Sequence, residues 1–429
     1  MTVVSARVPD TRVRRLATTL YGYTFLTDVV LLYPLYSLLF TDTGLSVGQI
    51  SSLFVLWSAT SIAMEVPSGA LADAVSGRLL LRLAPLLPGA AFAIWVVLPS
   101  YPTFAVGFVL WGIGGALNSG SLEALVYTEL DRLGAAGRYA RTMGRARTAG
   151  VVGALAAAAL AGPVLAVGGY PAVGGASVLV CLLAALAAGR FPEHRRPPTA
   201  SDPGGGDPAE EEAELGWVAS LRAGLTEARA DRSVRAAVLL VAVVAAVWGA
   251  LDEYTPLLIR ETGVPAAAVP ALVALVLAGV TVGGLLAPLG ERLGATGNAG
   301  LLAASAVALA LGAGSGHPAG LVLVAAALGG FQLATVLADA RLQARITGPS
   351  RATVTSLAGM ATDLTIMAVY GGYAVVATAG GHRWAFVVAA IPYLAMAGVP
   401  IAVRRRRADP LGRARSGRPG GPTGRVSRQ

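Results

Sequence analysis

The feature that most constrains this chain is a series of long apolar runs separated by short segments that carry arginine. A helix needs about 20 apolar residues to cross about 30 Å of hydrocarbon, and these runs are of that length. With 55% hydrophobic and only 13% charged residues in 429, the chain is too apolar for an ordinary water-soluble domain. The runs place spans at about 16–40, 47–71, 79–98, 102–128, 143–168 and 172–189, then at about 234–259, 265–289, 296–314, 318–343, 351–378 and 382–403. The expected fold is therefore an all-α membrane protein of twelve transmembrane helices, arranged as two sets of six of similar length.

Arginine sets the orientation. All 33 basic residues are arginine, and the formal charge is +9. With the N-terminus in the cytoplasm, only Arg260 and Arg383 fall on the outer side, which is the positive-inside rule in strong form. The charge then reads as topology, with no nucleic-acid partner, and both termini are cytoplasmic. Residues 1–15 form a short N-terminal segment. Residues 190–233 form a linker whose first half is rich in Pro and Gly. Its second half spaces Trp217, Leu221, Leu225 and Ala228 as an amphipathic helix on the inner leaflet. Residues 404–429 form a basic tail expected to be disordered.

The two halves echo each other locally. Pro34 to Thr43-Gly44 at the outer end of the first span resembles Pro256 to Thr262-Gly263 at the outer end of the seventh. Small residues such as Gly279, Gly283, Gly153, Ala157, Ala161, Gly112 and Ala116 mark places of close helix approach. Cys181 is the sole cysteine, so a disulfide framework or a cysteine metal site is excluded, and it is expected to serve packing.

Gly69-Ala-Leu-Ala-Asp73 at the inner end of the second span, followed by Arg78 and Arg82, resembles the loop signature of the major facilitator superfamily. Ala74 and Ser76 depart from the usual pattern. The resemblance implies two six-helix bundles around a central cavity, with Gly69, Asp73 and Arg78 as gating residues and Asp73 pairing across the interface between halves. Trp111-Gly-Ile-Gly-Gly-Ala116 is similar to the family's second signature. There an arginine tied to proton transfer precedes the Trp position by three residues, where this chain has Phe108. Gly153, Gly162, Pro163, Gly168 and Gly169 resemble the Gly-Pro signature of the drug/proton antiporter branch, and Ser119 to Tyr127 with Gly144 to Arg147 looks like bacterial exporters of that kind.

Seven acids fall inside spans: Asp28, Glu65, Glu123, Asp252, Glu253, Asp339 and Asp363. An ionised carboxylate in hydrocarbon costs several kcal/mol, so each needs a partner, water or a proton. Asp28 and Asp363 lie near mid-membrane and are the leading proton-coupling candidates, with Glu123 and Glu65 behind them. Glu65 and Glu123 can equally form ion pairs with Arg145 or Arg147, and Asp339 with Arg341. Asp252 and Glu253 lie toward the outer end of the seventh span. A substrate cavity has Tyr21, Tyr33, Trp57, Trp111, Asn118, Trp248, Gln332 and Tyr370 available, together with Asp252 and Glu253. Trp95, Tyr101, Tyr170 and Trp384 lie near outer ends and read as interfacial belt residues.

A chain without lysine has no P-loop, so ATP-driven pumping by this chain is excluded. No His-Glu-x-x-His or Gly-x-Ser-x-Gly occurs, so an enzyme is not expected, and neither a cofactor nor a metal is called for. The expected activity is secondary transport by a monomer in a bacterial cytoplasmic membrane, with a small-molecule substrate, protons and the lipid bilayer as partners. Acids outnumber deep basic residues, which favours proton-coupled efflux of a hydrophobic or cationic compound. Uptake or facilitated passage of a polar nutrient is the alternative.

Overall fold

In lipid the backbone has no water to bond, so each crossing segment must close its own hydrogen bonds as a helix. The computed structural model describes residues 10–192, 232–345 and 351–398, and over these the regular structure is helical. The linker helix and the basic tail lie outside the described residues.

The first half contains α1 (Asp10–Asp28), α2 (Tyr36–Asp42), α3 (Val47–Ala74), α4 (Gly77–Val97), α5 (Tyr101–Arg132) and α6 (Tyr139–Ala188). The second contains α7 (Arg232–Glu261), α8 (Val269–Leu285), α9 (Ala287–Gly290), α10 (Ala295–Gly314), α11 (Leu321–Arg345), α12 (Arg351–Gly380) and α13 (His382–Ala389). A further helical stretch covers 391–398. Among the described residues, nine helices are individually long and apolar enough to cross a membrane.

The described helices are consistent with the twelve expected spans, with several departures from regular helices. The 50-residue α6 is two helices, because Gly169 adopts φ 63° inside it and kinks the chain next to Pro171. The last span is interrupted at Ala390. The first span, expected to be continuous, is broken between Asp28 and Tyr36. Pro34 contributes to the break. It has no N–H, its ring collides with the carbonyl four residues back, and it turns the preceding residue away from helical angles. The Leu32 N–H freed by the break donates to the buried Ser177 Oγ on the second arm of α6, at 3.0 Å. An irregular backbone at this depth survives because protein groups satisfy it.

Within the first half, α1 packs on α6, while α4 packs on both α5 and α6. Glycine allows this: a Cβ at Gly153 would lie 2.5 Å from the Phe25 carbonyl oxygen. In the second half, a Cβ at Gly279 or Gly283 would run into the backbone of α11 at Ala325 or Gly329. These are the close approaches expected of the small residues. The echo between halves is also structural. Thr43 and Thr262 each bond back to a helical carbonyl, and the glycine after each has positive φ, 93° at Gly44 and 89° at Gly263. Pro256 differs from Pro34, since α7 continues through it.

The helices share a polarity. One end of the bundle carries Arg12, Arg14, Arg15, Arg78, Arg82, Arg132, Arg138, Arg292 and Arg341, and is called the Arg-rich end below. At the opposite, Arg-poor end, Arg260 and Arg383 are the arginines among the described residues. There the halves meet through α3 and α12, α6 and α8, and α2 and α7. Trp95, expected in an interfacial belt, is fully buried and donates to the Thr103 carbonyl at 3.2 Å. Its length fills the aromatic core around Phe40, Phe104 and Phe108.

Candidate functional site

Between the halves lies a chamber of about 650 Å³ walled by α3, α5, α7 and α12. The α3 wall presents Trp57, Ser58, Ser61, Ile62, Glu65 and Ser68, a spacing of three to four residues that keeps them on one helical face. Facing it are Gly115 and Ser119 from α5, Glu253 from α7, and Asp363 and Tyr370 from α12. A smaller space of about 270 Å³ shares Trp57 and Glu253 with this chamber. It adds Asp28, Tyr33, Tyr36, Trp111 and Asp252. Tyr33 and Trp111 in turn line a side pocket of about 90 Å³ with Asn118 and Tyr23.

The three spaces together bring five carboxylates to their walls: Asp28, Glu65, Asp252, Glu253 and Asp363. Among the described residues, no arginine or histidine lines any of them. Asp28 is the last residue of α1, where the first span breaks, and packs directly on Gly150 of α6. A Cβ at Gly150 would occupy the place of the carboxylate oxygen. The C-terminal end of a helix carries partial negative charge, so a carboxylate there is an especially good counterpart for a proton or cation.

An aromatic wall completes the site. Tyr33 stacks on Trp111 with centroids 5.1 Å apart and planes 4° apart, and Trp57 lies 5.3 Å from Trp111. Faces of this kind attract cations as well as apolar groups. Phe108, at the position where the resembling family signature has its arginine, stacks on Trp111 at 5.8 Å and is fully buried. Burial among rings leaves no room there for an unpaired guanidinium. On the side wall, the Tyr23 hydroxyl donates to Asn118 Oδ1 at 2.8 Å.

The chamber is sealed toward the Arg-poor end. Ser51 Oγ and the Tyr254 hydroxyl lie 2.6 Å apart across the two halves. Phe54 packs edge-on against Tyr254 at 5.3 Å and lies 5.4 Å from Tyr370. Behind this layer Tyr254 stacks on Tyr373, whose hydroxyl meets His382 Nδ1 at 2.8 Å. Gly162 of α6 abuts the Ala267 carbonyl before α8. Exposure rises the other way: Ser51 and Tyr254 are buried, whereas Glu65 and Ser119 are exposed. The chamber therefore opens to the Arg-rich end.

Some expected residues lie elsewhere. Tyr21 packs in the apolar cluster of the first bundle near the Arg-rich end. Trp248 donates to Thr335 Oγ1 at 3.0 Å, joining α7 to α11. Gln332 lies against Gly284 between α8 and α11. These three are large or polar residues that the helices use to join one another, and none lines the chamber. Glu123 lines none of the three spaces and pairs with Arg147 at 3.8 Å, both side chains exposed. Arg145 and Asp339 are exposed, and Arg341 donates to the Leu293 carbonyl at 2.8 Å. Gly69 and Asp73 lie near the C-terminal end of α3, but their side-chain placement lies outside the described residues; Arg78 opens α4 and is exposed.

A two-bundle helical protein with a chamber between its halves, closed at one end, defines a membrane carrier. The chain belongs to the Major Facilitator Superfamily, whose sequence model matches residues 19–367. It is a secondary transporter of that family rather than an enzyme. No curated protein sequence matches it. Among solved structures it is similar to the nucleoside transporter NupG, at 13% identity and a TM-score of 0.69, over 90% of this chain and 98% of that one. It is also similar to a bacterial homolog of the human lysosomal transporter Spinster in an inward-facing, unoccupied conformation. That likeness has 19% identity and a TM-score of 0.64, over 91% and 96% of the two chains. A D-xylose–proton symporter aligns at 16% identity with a TM-score of 0.61, over 90% and 97%. At these identities the likenesses concern the fold.

Proposed function

We propose that this carrier expels a small hydrophobic or cationic compound in exchange for protons, working as a monomer in a bacterial cytoplasmic membrane with its Arg-rich end in the cytoplasm. The observation that carries this reading is the chamber and its adjoining space, whose walls bring together five carboxylates and an aromatic face with no basic residue among the described lining side chains. Ionised carboxylates in such a space each cost several kcal/mol, a cost relieved by a proton or a cation. A chamber for phosphates or organic anions would need the opposite sign.

The cycle follows from mutual exclusion. When the chamber faces the cytoplasm, a cation settles on the Trp57, Tyr33 and Trp111 faces and neutralises Asp28, while protons leave. The Ser51–Tyr254 seal then parts, the Arg-poor end opens, and protons from outside displace the cation. Asp28 is placed to couple the two events because it sits where the first span is broken, so its charge state and the α1–α2 geometry act on each other. Asp363 and Glu65 share the larger chamber and serve as further proton carriers. Glu123 is assigned to its surface ion pair with Arg147, and Gly69, Asp73 and Arg78 to the gate at the Arg-rich end that the family resemblance implies.

Everted membrane vesicles with an imposed pH gradient and a fluorescent lipophilic cation such as ethidium test this reading. Asp28→Asn is expected to abolish gradient-driven transport while leaving the protein in the membrane at normal level. Undiminished transport by that variant would remove Asp28 from the coupling role. Growth on a sole polar nutrient that depends on this chain would replace efflux with uptake.

A further inference from the structure

At the Arg-rich end of the first half, separate from the chamber, a cavity of about 480 Å³ opens where α1, α4, α5 and the end of α6 meet. Arg12, Arg15, Arg78, Arg132 and Arg190 line it, with Glu129 as the one carboxylate among the described lining residues. Glu129 is only 4% exposed. Arg82 approaches the same rim, since a Cβ at Gly189 would lie 3.8 Å from its Nε. Arg78 Nη1 donates to the Phe191 carbonyl at 3.5 Å, which joins the start of α4 to the chain leaving α6.

Topology alone does not require this arrangement. The positive-inside rule asks for arginines near the cytoplasmic ends of spans, but not for five of them, from both ends of the bundle's sequence, to face one concavity. Like charges gathered in a concave site reinforce one another's field and favour an anion there. Guanidinium groups match phosphate oxygens in pairs, which makes phosphate the anion such a cluster recognises best.

Two features indicate where the phosphate comes from. The cavity lies at the helix ends, where the headgroups of a leaflet would be. Beside it the outer faces of α4 and of the second arm of α6 expose Leu79 next to Arg78 and Leu186 one turn before Arg190, at 44% and 62% exposure. Leu83 and Leu182 continue these apolar faces into the membrane. A charged cavity with apolar tracks leading from it suits a molecule with an anionic head and acyl chains. The geometry points to a binding site for an anionic phospholipid, its phosphate held among Arg15, Arg132 and Arg190 and its chains lying along α4 and α6. Basic pockets between spans on the cytoplasmic side hold headgroups in this manner, each basic residue contributing about a five-fold gain in affinity.

The test uses the purified full-length protein in mixed micelles, with lipid retention followed by native mass spectrometry and stability by thermal unfolding. Phosphatidylglycerol, phosphatidylcholine, and soluble glycerol phosphate or inorganic phosphate form the separate arms. Phosphatidylglycerol is expected to bind and to raise the unfolding midpoint where phosphatidylcholine does not. The Arg15→Gln, Arg132→Gln double variant should weaken that binding about thirty-fold. Arg190→Gln, which lies beyond the end of α6 and leaves the helices intact, should weaken it about five-fold. Arg292→Gln, in the other half, should leave it unchanged. Equal effects of the two lipids, or equal losses from Arg190→Gln and Arg292→Gln, would overturn the site. Stabilisation by soluble phosphate with none from phosphatidylglycerol would overturn the lipid as its ligand.

Discussion

Replacing Gly162 by Val should open the Arg-poor end of the carrier. Gly162 lies so close to the Ala267 carbonyl across the two halves that even a Cβ would collide with it. The obstacle is backbone and cannot rotate aside, so a larger residue must push the halves apart. Overpacking of this kind costs about 1–3 kcal/mol, and here it falls on the closed conformation alone. The ratio of outward-open to closed molecules should therefore rise about 5- to 150-fold. Cys181 is the only cysteine, so Cys181→Ala gives a blank background for a single reporter. Ser58→Cys, in the chamber wall beyond the Ser51–Tyr254 seal, reports access from the Arg-poor side. A membrane-impermeant maleimide added on that side should label the reporter faster by the same factor in the Gly162→Val protein. An unchanged rate in a folded variant would refute the view that this contact helps hold the end closed.

Two further outcomes follow from the geometry. Ser177→Ala leaves the buried Leu32 N–H without its hydroxyl acceptor, which should cost about 1–3 kcal/mol and lower the thermal unfolding midpoint of the purified protein. Glu123→Gln breaks a pair that is exposed on both sides, and such pairs contribute about 0–1 kcal/mol, so vesicle transport should stay within about two-fold of the parent.

Much of the fold was legible because hydropathy and arginine placement are strong, redundant signals, and the kink at Gly169-Tyr170-Pro171 was visible as a glycine and proline between two apolar runs. The break of the first span was not. Val29 to Leu35 is as apolar as an unbroken helix, and hydropathy does not register the hydrogen bond that Pro34 cannot donate. The acids of the chamber were legible because a carboxylate in an apolar run is rare. Their sorting was not, since depth along a helix does not say which face a side chain takes: Asp28 and Glu123 both lie inside spans, yet one lines the cavity and the other pairs at the surface. Ser58, Ser61 and Ser68 were missed as chamber residues. Their spacing with Glu65 on α3 marks one polar face, a signal present in the sequence and readable by helical periodicity. Trp248 and Gln332 misled because a large or polar residue inside a span can serve helix contacts as well as a cavity.

The central claim is that protons and a cation compete for the same carboxylates, and proton release on binding tests it most directly. Purified protein in weakly buffered detergent solution would be mixed with a lipophilic cation while the pH is recorded and binding is followed by fluorescence. The account predicts that binding releases protons, and that Asp28→Asn binds with a smaller release. Saturable binding with no release of protons in the parent protein would contradict it.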